Sequence, residues 1–592
     1  MIKKNKIHKF RTIIILGLIA ATFSMGACKT TAPTAIIEGI VDTIETSAGV
    51  SDENVDESNS ETNNIASANA SVVSMDVADM FSDRDVENEY EESECTIINL
   101  DNESIEGSGA EVTSEGIKIT EEGEYILTGT YKNKQITVEA SEDAKVRLIL
   151  KEACIDNEKG AAIYIKSADK VFITLADGSA NTISGVTKTI SEDEETDAAI
   201  YSKSDLTVNG EGSLSIKCSD GKGIVSKDDL KITSGNIKIE ASDHALSGKD
   251  SVRIAGGTIN IKAGEDGIHS GNDEDPEKGY VYIADGNIEI DASDDGIHGE
   301  TKTVIAGGVI NIINSEEGIE GAIVEIAGGE INVNSNDDGI NASDGSGSSE
   351  FEGFQQGEFD PTQFKDFPQG DFDTSQFEGS TPPTVNDFNG IGNKPFQSKD
   401  MPSGGFGMNA GDNPGKPGFA EKTGKAVEND ASIDLTQSVY ILISGGEINV
   451  NASGDGIDSN GSIYVTGGNV SISGPENDGN GALDYNSKAV ITGGSFIACG
   501  SDGMAMNFTG AAQGSLLIKL SQTHDSGEEI TVKDADSNIL FKFTPSSKFE
   551  CILISSEDIK EGETYTITVG TETESVTMES LIINNIGAKG GR

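Results

Sequence analysis

The tripeptide Asp-Gly-Ile, intact or slightly varied, recurs through the middle of this chain. It stands at Asp266-Gly267-Ile268, Asp295-Gly296-Ile297, Glu317-Gly318-Ile319, Asp338-Gly339-Ile340 and Asp455-Gly456-Ile457. Looser copies flank it at Lys222-Gly223-Ile224, His244-Ala245-Leu246 and Asp502-Gly503-Met504. From Ile224 through Leu246, Ile268, Ile297, Ile319 and Ile340 the steps are 22, 22, 29, 22 and 21 residues. A period of this length marks a solenoid, in which stacked units share one continuous core. The 592 residues therefore do not call for the several globular domains that length alone suggests.

Within each period, apolar residues alternate with polar ones. Ala255-Gly256-Gly257-Thr258-Ile259-Asn260-Ile261 is followed by Ala306-Gly307-Gly308-Val309-Ile310-Asn311-Ile312 and by Ser444-Gly445-Gly446-Glu447-Ile448-Asn449-Val450. Alternation of period two turns Ile and Val inward and Thr, Asn, Glu and Lys outward. Gly-Gly supplies a positive φ at the corner. Each repeat reads as two short strands and two turns. Short strands of one kind, about one period apart, stack in parallel as rungs. The expected fold is all-β: a right-handed parallel β-helix solenoid with a C-terminal antiparallel β cap.

The flanks differ in kind. Lys3, Lys4, Lys6, Lys9 and Arg11 precede an apolar run from Ile13 to Phe23, and then Met25-Gly26-Ala27-Cys28. This pattern reads as a lipoprotein signal peptide, residues 1–28, with Cys28 lipidated after cleavage. Residues 29–93 are rich in Ser, Glu and Asn and read as a disordered tether. The β-helix is expected over 94–508, interrupted at about 343–435 by a Gly- and Phe-rich insertion. Eleven of the chain's 20 Phe lie between Phe351 and Phe419. Strands such as Ser515–Leu520 and Thr564–Val569 place the cap at 509–575, with a flexible tail over 576–592. The anchor predicts an extracellular protein held to the outer face of a bacterial membrane by its lipid alone.

Charge narrows the partners. With 101 acidic against 42 basic residues, the formal charge is −59. Such a surface repels nucleic acid and attracts cations. Aligned on the repeat's Ile, the position two before it carries Asp266, Asp295, Glu317, Asp338 and Asp455. The position three before carries Asp243, Asp294, Glu316 and Asp337. The position one after carries His269, His298 and Asp458. Equivalent residues of a β-helix stack about 4.8 Å apart. Two carboxylates at that spacing repel by roughly 1 kcal/mol in water and about 3–4 kcal/mol at an effective dielectric of 20. A column of them predicts bridging cations, and oxygen ligands on turns predict Ca²⁺. The alternative is an acidic turn in which each Asp bonds local backbone amides. Asp273, in the segment that lengthens one step to 29 residues, is expected to fold over the column and complete a site with Asp266. His244, His269 and His298 are candidate ligands or sugar partners, or ordinary surface turn residues. With no Trp in the chain, Tyr201, Tyr280, Tyr282 or the Phe-rich insertion would supply stacking surfaces for a neutral glycan. No nucleophile elbow, His-Glu-x-x-His or phosphate loop is present, and Arg253 is the one Arg in the regular coils.

Three stretches resemble a known family. They are Ile224-Val225-Ser226-Lys227-Asp228-Asp229-Leu230-Lys231-Ile232-Thr233; Gly267-Ile268-His269-Ser270 through Asp275-Pro276-Glu277-Lys278-Gly279-Tyr280-Val281-Tyr282-Ile283; and Leu553 to Val569, with Lys560-Glu561-Gly562-Glu563-Thr564-Tyr565-Thr566. The chain resembles the clostridial carbohydrate-binding β-helix proteins over about 94–575, the insertion apart. The resemblance implies a polysaccharide-lyase-like β-helix with bound Ca²⁺, surface attachment, and binding of cellulose or acidic pectic polymers without lyase activity. The expected function is thus a monomeric, non-catalytic, Ca²⁺-binding polysaccharide-binding protein for plant cell-wall or other glycans. A Ca²⁺-dependent lyase or hydrolase is the second reading, and a structural adhesin or spacer the third.

Overall fold

The computed structural model describes residues 80–191, 194–344 and 429–585. The signal peptide, Cys28, most of the tether and most of the Phe-rich insertion lie outside the described residues. Three ladders of parallel strands run along the solenoid. The first contains Leu246–Gly248, Ile268–Ser270, the opening residues of Ile297–Ile305 and of Ile319–Ile326, then Ile340–Ala342 and Ile457–Ser459. The second contains Ser251–Ile254, Tyr280–Ile283, Tyr440–Ile443 and Ser462–Val465. The third contains Thr258–Lys262, Asn287–Asp291, Val309–Asn314, Glu330–Ser335 and Glu447–Ala452.

A coil therefore holds three strands rather than the two expected. The sequence reading treated Asp-Gly-Ile as a turn. In the structure its Ile opens a short strand of its own, because the peptides on both sides of it bond to the next coil. Gly296 N donates to Glu317 O at 2.9 Å, and Ile297 N donates to Gly318 O at 3.1 Å. The same pair of bonds recurs from Gly318 to Asp338 O and from Ile319 to Gly339 O. Three residues are too few to show an alternation in sequence. Inside, Ile268, Ile297, Ile319, Ile340 and Ile457 are fully buried and stack on one another.

Glycine serves two different ends here. The second Gly of each Gly-Gly corner has the expected positive φ, as Gly329 does at 100°. The Gly of Asp-Gly-Ile does not. It is required by close approach: a Cβ on Gly318 would lie 2.3 Å from the carbonyl oxygen of Gly339 in the next coil.

The flanks are more ordered than the sequence suggests. Residues 80–93, assigned to the tether, pack on the outside of the coils. Ser82 caps a single helical turn, Asp83–Val86, and Asp85 is fully buried. Asp85 pairs with Lys170 at 2.5 Å and Lys231 at 3.5 Å and accepts from Thr207 at 2.7 Å. Burial opposes its charge, but these partners hold its carboxyl well below the usual range. A charged segment can thus dock where the sheet offers buried cations to meet it. Residues 429–435, assigned to the insertion, also pack: Ala431, Ile433 and Leu435 lie against Tyr440 and Tyr464. The solenoid closes across the insertion, with Ile340 paired to Ile457 in register.

At the C-terminal end, Phe549–Ser556 pairs antiparallel with Ser495–Gly500 and covers the last coil's open edge. Gly514–His524 lies beside it, and a separate four-stranded sheet completes the cap. The cap reaches beyond 575. Met578 is fully buried, and Ile582–Asn585 pairs with Gly514–His524. Short polar strands at a chain end carry little sequence signal, which is why this one reads as tail.

Gly318→Ala should destabilise the solenoid by roughly 1–3 kcal/mol, through steric conflict with the next coil. Thermal unfolding of the variant checks this; an unchanged melting temperature contradicts the close-approach role.

Candidate functional site

The column of carboxylates lies where the first ladder begins. Side chains two before and one after the Ile converge on the outer side of the strand. The position three before lies in the bend ahead of the strand and turns away to solvent. Asp294, Glu316 and Asp337 are accordingly exposed and belong to no close group, and Asp243 reaches only His244. Asp273 does not fold over the column either. Its neighbour Asn272 donates to Asp250 at 2.9 Å, and Lys278 pairs with Asp250 at 2.6 Å. Both contacts fasten the segment to the next corner and leave Asp273 exposed.

Among the described residues, four groups bring their ligand atoms within 4.8 Å of one another: His244, Asp266 and His269; Asp266, Asp295 and His298; Asp295, Glu317 and Glu320; and Asp338, Asp455 and Asp458. Glu320 was not among the site residues expected from sequence. Its signal was present in the alignment on Ile, where it falls in one of the two columns that converge.

The column also answers how an acidic turn meets the backbone. Three of the carboxylates spend one oxygen on the next coil. Asp266 Oδ1 accepts from Asp295 N at 3.1 Å, Asp338 Oδ1 from Asp455 N at 2.6 Å, and Asp455 Oδ1 from Gly481 N at 2.5 Å. The other oxygen is left for its neighbours in the column. Backbone amides therefore satisfy half of each of these three carboxylates.

Electrostatics follow from that crowding. Burial, with the charges of neighbouring carboxylates, pushes Asp266 up to about 7 and Asp458 to about 7. Burial raises Asp338 to about 8, with Asp455 adding to it, and lifts Asp455 itself to about 6. Burial also raises Glu320 to about 9, although the His298 charge opposes this. His298 shows the reverse balance: burial disfavours its charge, but a bond to Asp295 and the charges of Glu320 and Asp266 push it to about 9. Burial lowers His244 to about 4 and His269 to about 3.

Asn341 tests whether the oxygen-rich end suits Ca²⁺. It is 7% exposed and stacks between Glu320 and Asp458. Its Nδ2 donates to Glu317 at 2.9 Å and Glu320 at 3.4 Å. Its buried Oδ1 has no hydrogen-bond partner. Because the amide nitrogen must face those two Glu carboxylates, the carbonyl faces the Asp458 coil. A neutral oxygen beside the oxygens of Asp338, Asp455 and Asp458 makes a donor set of the kind Ca²⁺ takes. Those three Asp are only half buried, so further ligands have access.

The aromatic residues expected to stack on sugar are placed otherwise. Tyr282 is buried beneath Phe81, with ring centroids 6.4 Å apart. Tyr280 is half buried with Arg253 over its ring, and Tyr201 is buried beside Tyr164. The segment covering Tyr282 is the one read as tether, so its burial could not be foreseen.

The class of protein is thus a parallel β-helix bearing a ladder of cation-seeking carboxylates on one edge. Residues 113–366 match the family model described as "Carbohydrate-binding domain-containing protein". Over this segment the chain is similar to that family. A protein of the same description from Acetivibrio thermocellus is 38% identical over 150 residues, 24% of this chain and 52% of that protein. The chain thus spans about half the length of that curated relative. A solved "polysaccharide lyase-like protein from C. thermocellum", a gadolinium derivative, is 36% identical. That alignment covers 40% of this chain and 91% of that one, with a TM-score of 0.33.

Asp266, Asp338, Asp455 and Asp458 hold protons to higher pH when folded, with values of about 6 to 8 against an ordinary 3.8. Their contribution to stability is complete below the unfolded value and is lost as pH rises through the folded values. His244 and His269 act in the opposite sense, but only below about 6.5. With chelator present, the melting temperature should fall between about pH 6.5 and 8.5, and added Ca²⁺ should restore it by replacing the protons. A flat profile in scanning calorimetry contradicts this electrostatic account.

Proposed function

We propose that this chain is a non-catalytic, Ca²⁺-dependent polysaccharide-binding protein of the cell surface, selective for glycans that carry carboxylates. The observation that carries this reading is the Asp338–Asp455–Asp458 group with the orphaned carbonyl of Asn341. Asp243, Asp294, Glu316, Asp337 and Asp273 have no part in it. A cation held there keeps positions open for an outside oxygen ligand, and a uronate carboxylate supplies one. For a chain of charge −59, a bridging cation is the direct route to an acidic polymer. Burial of Tyr282 and Tyr201 removes two of the aromatic surfaces a neutral glycan such as cellulose would use, which favours the acidic class.

Two features support the non-catalytic reading over a lyase. Abstraction of a proton beside a carboxylate needs a base near the cation. Among the described residues, Arg253 sits on the second ladder with Asp229 at 2.9 Å, and Lys222, near the column's start, is held by Asp197 at 2.8 Å. In this reading Cys28 carries the lipid that holds the protein to a bacterial membrane's outer face, and the protein acts as a monomer.

Polygalacturonate should retain the purified chain in millimolar Ca²⁺ and release it in excess chelator, with no ultraviolet-absorbing unsaturated product. Asp458→Asn should weaken retention by roughly tenfold or more, about 1.4 kcal/mol. Retention unchanged by chelator would overturn the bridging role.

A further inference from the structure

The two ends of the column differ in chemistry. At the C-terminal end every donor is oxygen. At the N-terminal end imidazoles from successive coils gather around one carboxylate. The His244 and His269 rings stack with centroids 4.4 Å apart and planes 19° apart. Asp266 Oδ2 lies 3.2 Å from His244 Nδ1 and 4.0 Å from a nitrogen of each of His269 and His298. His298 has other ties, to Asp295 at 3.2 Å and Glu320 at 3.6 Å. His244 and His269 do not share them.

Three details mark the remaining trio. His244 Nδ1 accepts the Asp266 amide at 3.1 Å, so a lone pair sits on the nitrogen that faces Asp266 Oδ2. Two acceptors 3.2 Å apart repel unless a cation or proton lies between them. That spacing is what two ligands at 2.0–2.1 Å from one ion show at an angle of about 100°, close to tetrahedral. An entering ion would replace the amide as the lone pair's partner. On the far side of the ring, His244 Nε2 stands 3.5 Å from Asp243, the position from which a carboxylate orients a metal-bound imidazole. Finally, His269 faces Asp266 through Nε2, and its other nitrogen, Nδ1, is buried with no hydrogen-bond partner, so the surrounding protein leaves the ring's polar group unsatisfied.

We propose that His244, Asp266 and His269 form a site for a divalent transition metal of the zinc, cobalt and nickel class, oriented by Asp243 and separate from the all-oxygen Ca²⁺ group. Imidazole nitrogen favours these ions, whereas Ca²⁺ takes oxygen. The column then sorts two cations by donor type: nitrogen with oxygen at His244–His269, oxygen alone at Asp338–Asp458. The transition ion ties two consecutive coils together, leaving polysaccharide retention to the other end.

The test is Co²⁺ titration of the chelator-stripped full chain in excess Ca²⁺. A visible ligand-field band should appear, Zn²⁺ should bleach it, and Ca²⁺ should not. The paired substitutions His244→Ala and His269→Ala should weaken Co²⁺ binding by at least roughly tenfold, while Asp458→Asn leaves it unchanged. The pair His244→Asn and His269→Asn, closer in size, provides the same comparison if the alanine variant folds poorly. Absence of the band, a band untouched by the His variants, or its removal by Ca²⁺ overturns the proposal. Polygalacturonate retention measured on the same samples should survive the His substitutions, so this site and the Ca²⁺-bridging reading fail independently.

Discussion

Backbone hydrogen bonding between successive coils sets almost everything else. When Gly296 N bonds to Glu317 O and Ile297 N to Gly318 O, the two coils lie at strand spacing and in fixed register. Equivalent residues must then sit directly above one another, whatever their chemistry. For Ile this is favourable, and the interior becomes a continuous ladder of buried side chains. At Gly318 it calls for a residue without a side chain, since a Cβ there would lie 2.3 Å from the carbonyl oxygen of Gly339 in the next coil. For Asp and Glu it is unfavourable, because like charges are brought as close as the hydrocarbon is.

That conflict between backbone and charge gives the acidic edge its character. The turn amides take one oxygen from several of these carboxylates, and the second oxygen faces its neighbours. A proton, an imidazolium or a metal ion can occupy the space between, and the donors present select among them. His298, held between Asp295 and Glu320, is the protein's own cation in the column. Among the described residues, the Asp338–Asp455–Asp458 group holds no such cation, and oxygen donors alone face one another.

The repeat, its parallel rungs, the Ile ladder and the acidic column were all legible in sequence, because each is a consequence of period. Departures from period were not. The third strand of each coil spans only three residues, too short to alternate. Residues 80–93 look like the polar stretch before them, yet Asp85 docks on Lys170 and Lys231, which lie far away in sequence. Their docking also buries Tyr282, which sequence alone offered as a sugar platform. Asp273 lies one residue beyond Asn272, and the latter's bond to Asp250 carries the segment to another corner.

Sequence by itself determined which residues share a row, since a constant step forces equivalent positions into one column. It did not determine which rows face each other. Only the tertiary structure showed that the positions two before and one after the Ile converge, while the position three before turns to solvent. That choice depends on where the chain passes from turn to strand, which hydrogen bonds between coils decide. For the same reason Glu320 joined the site only once the coils were stacked.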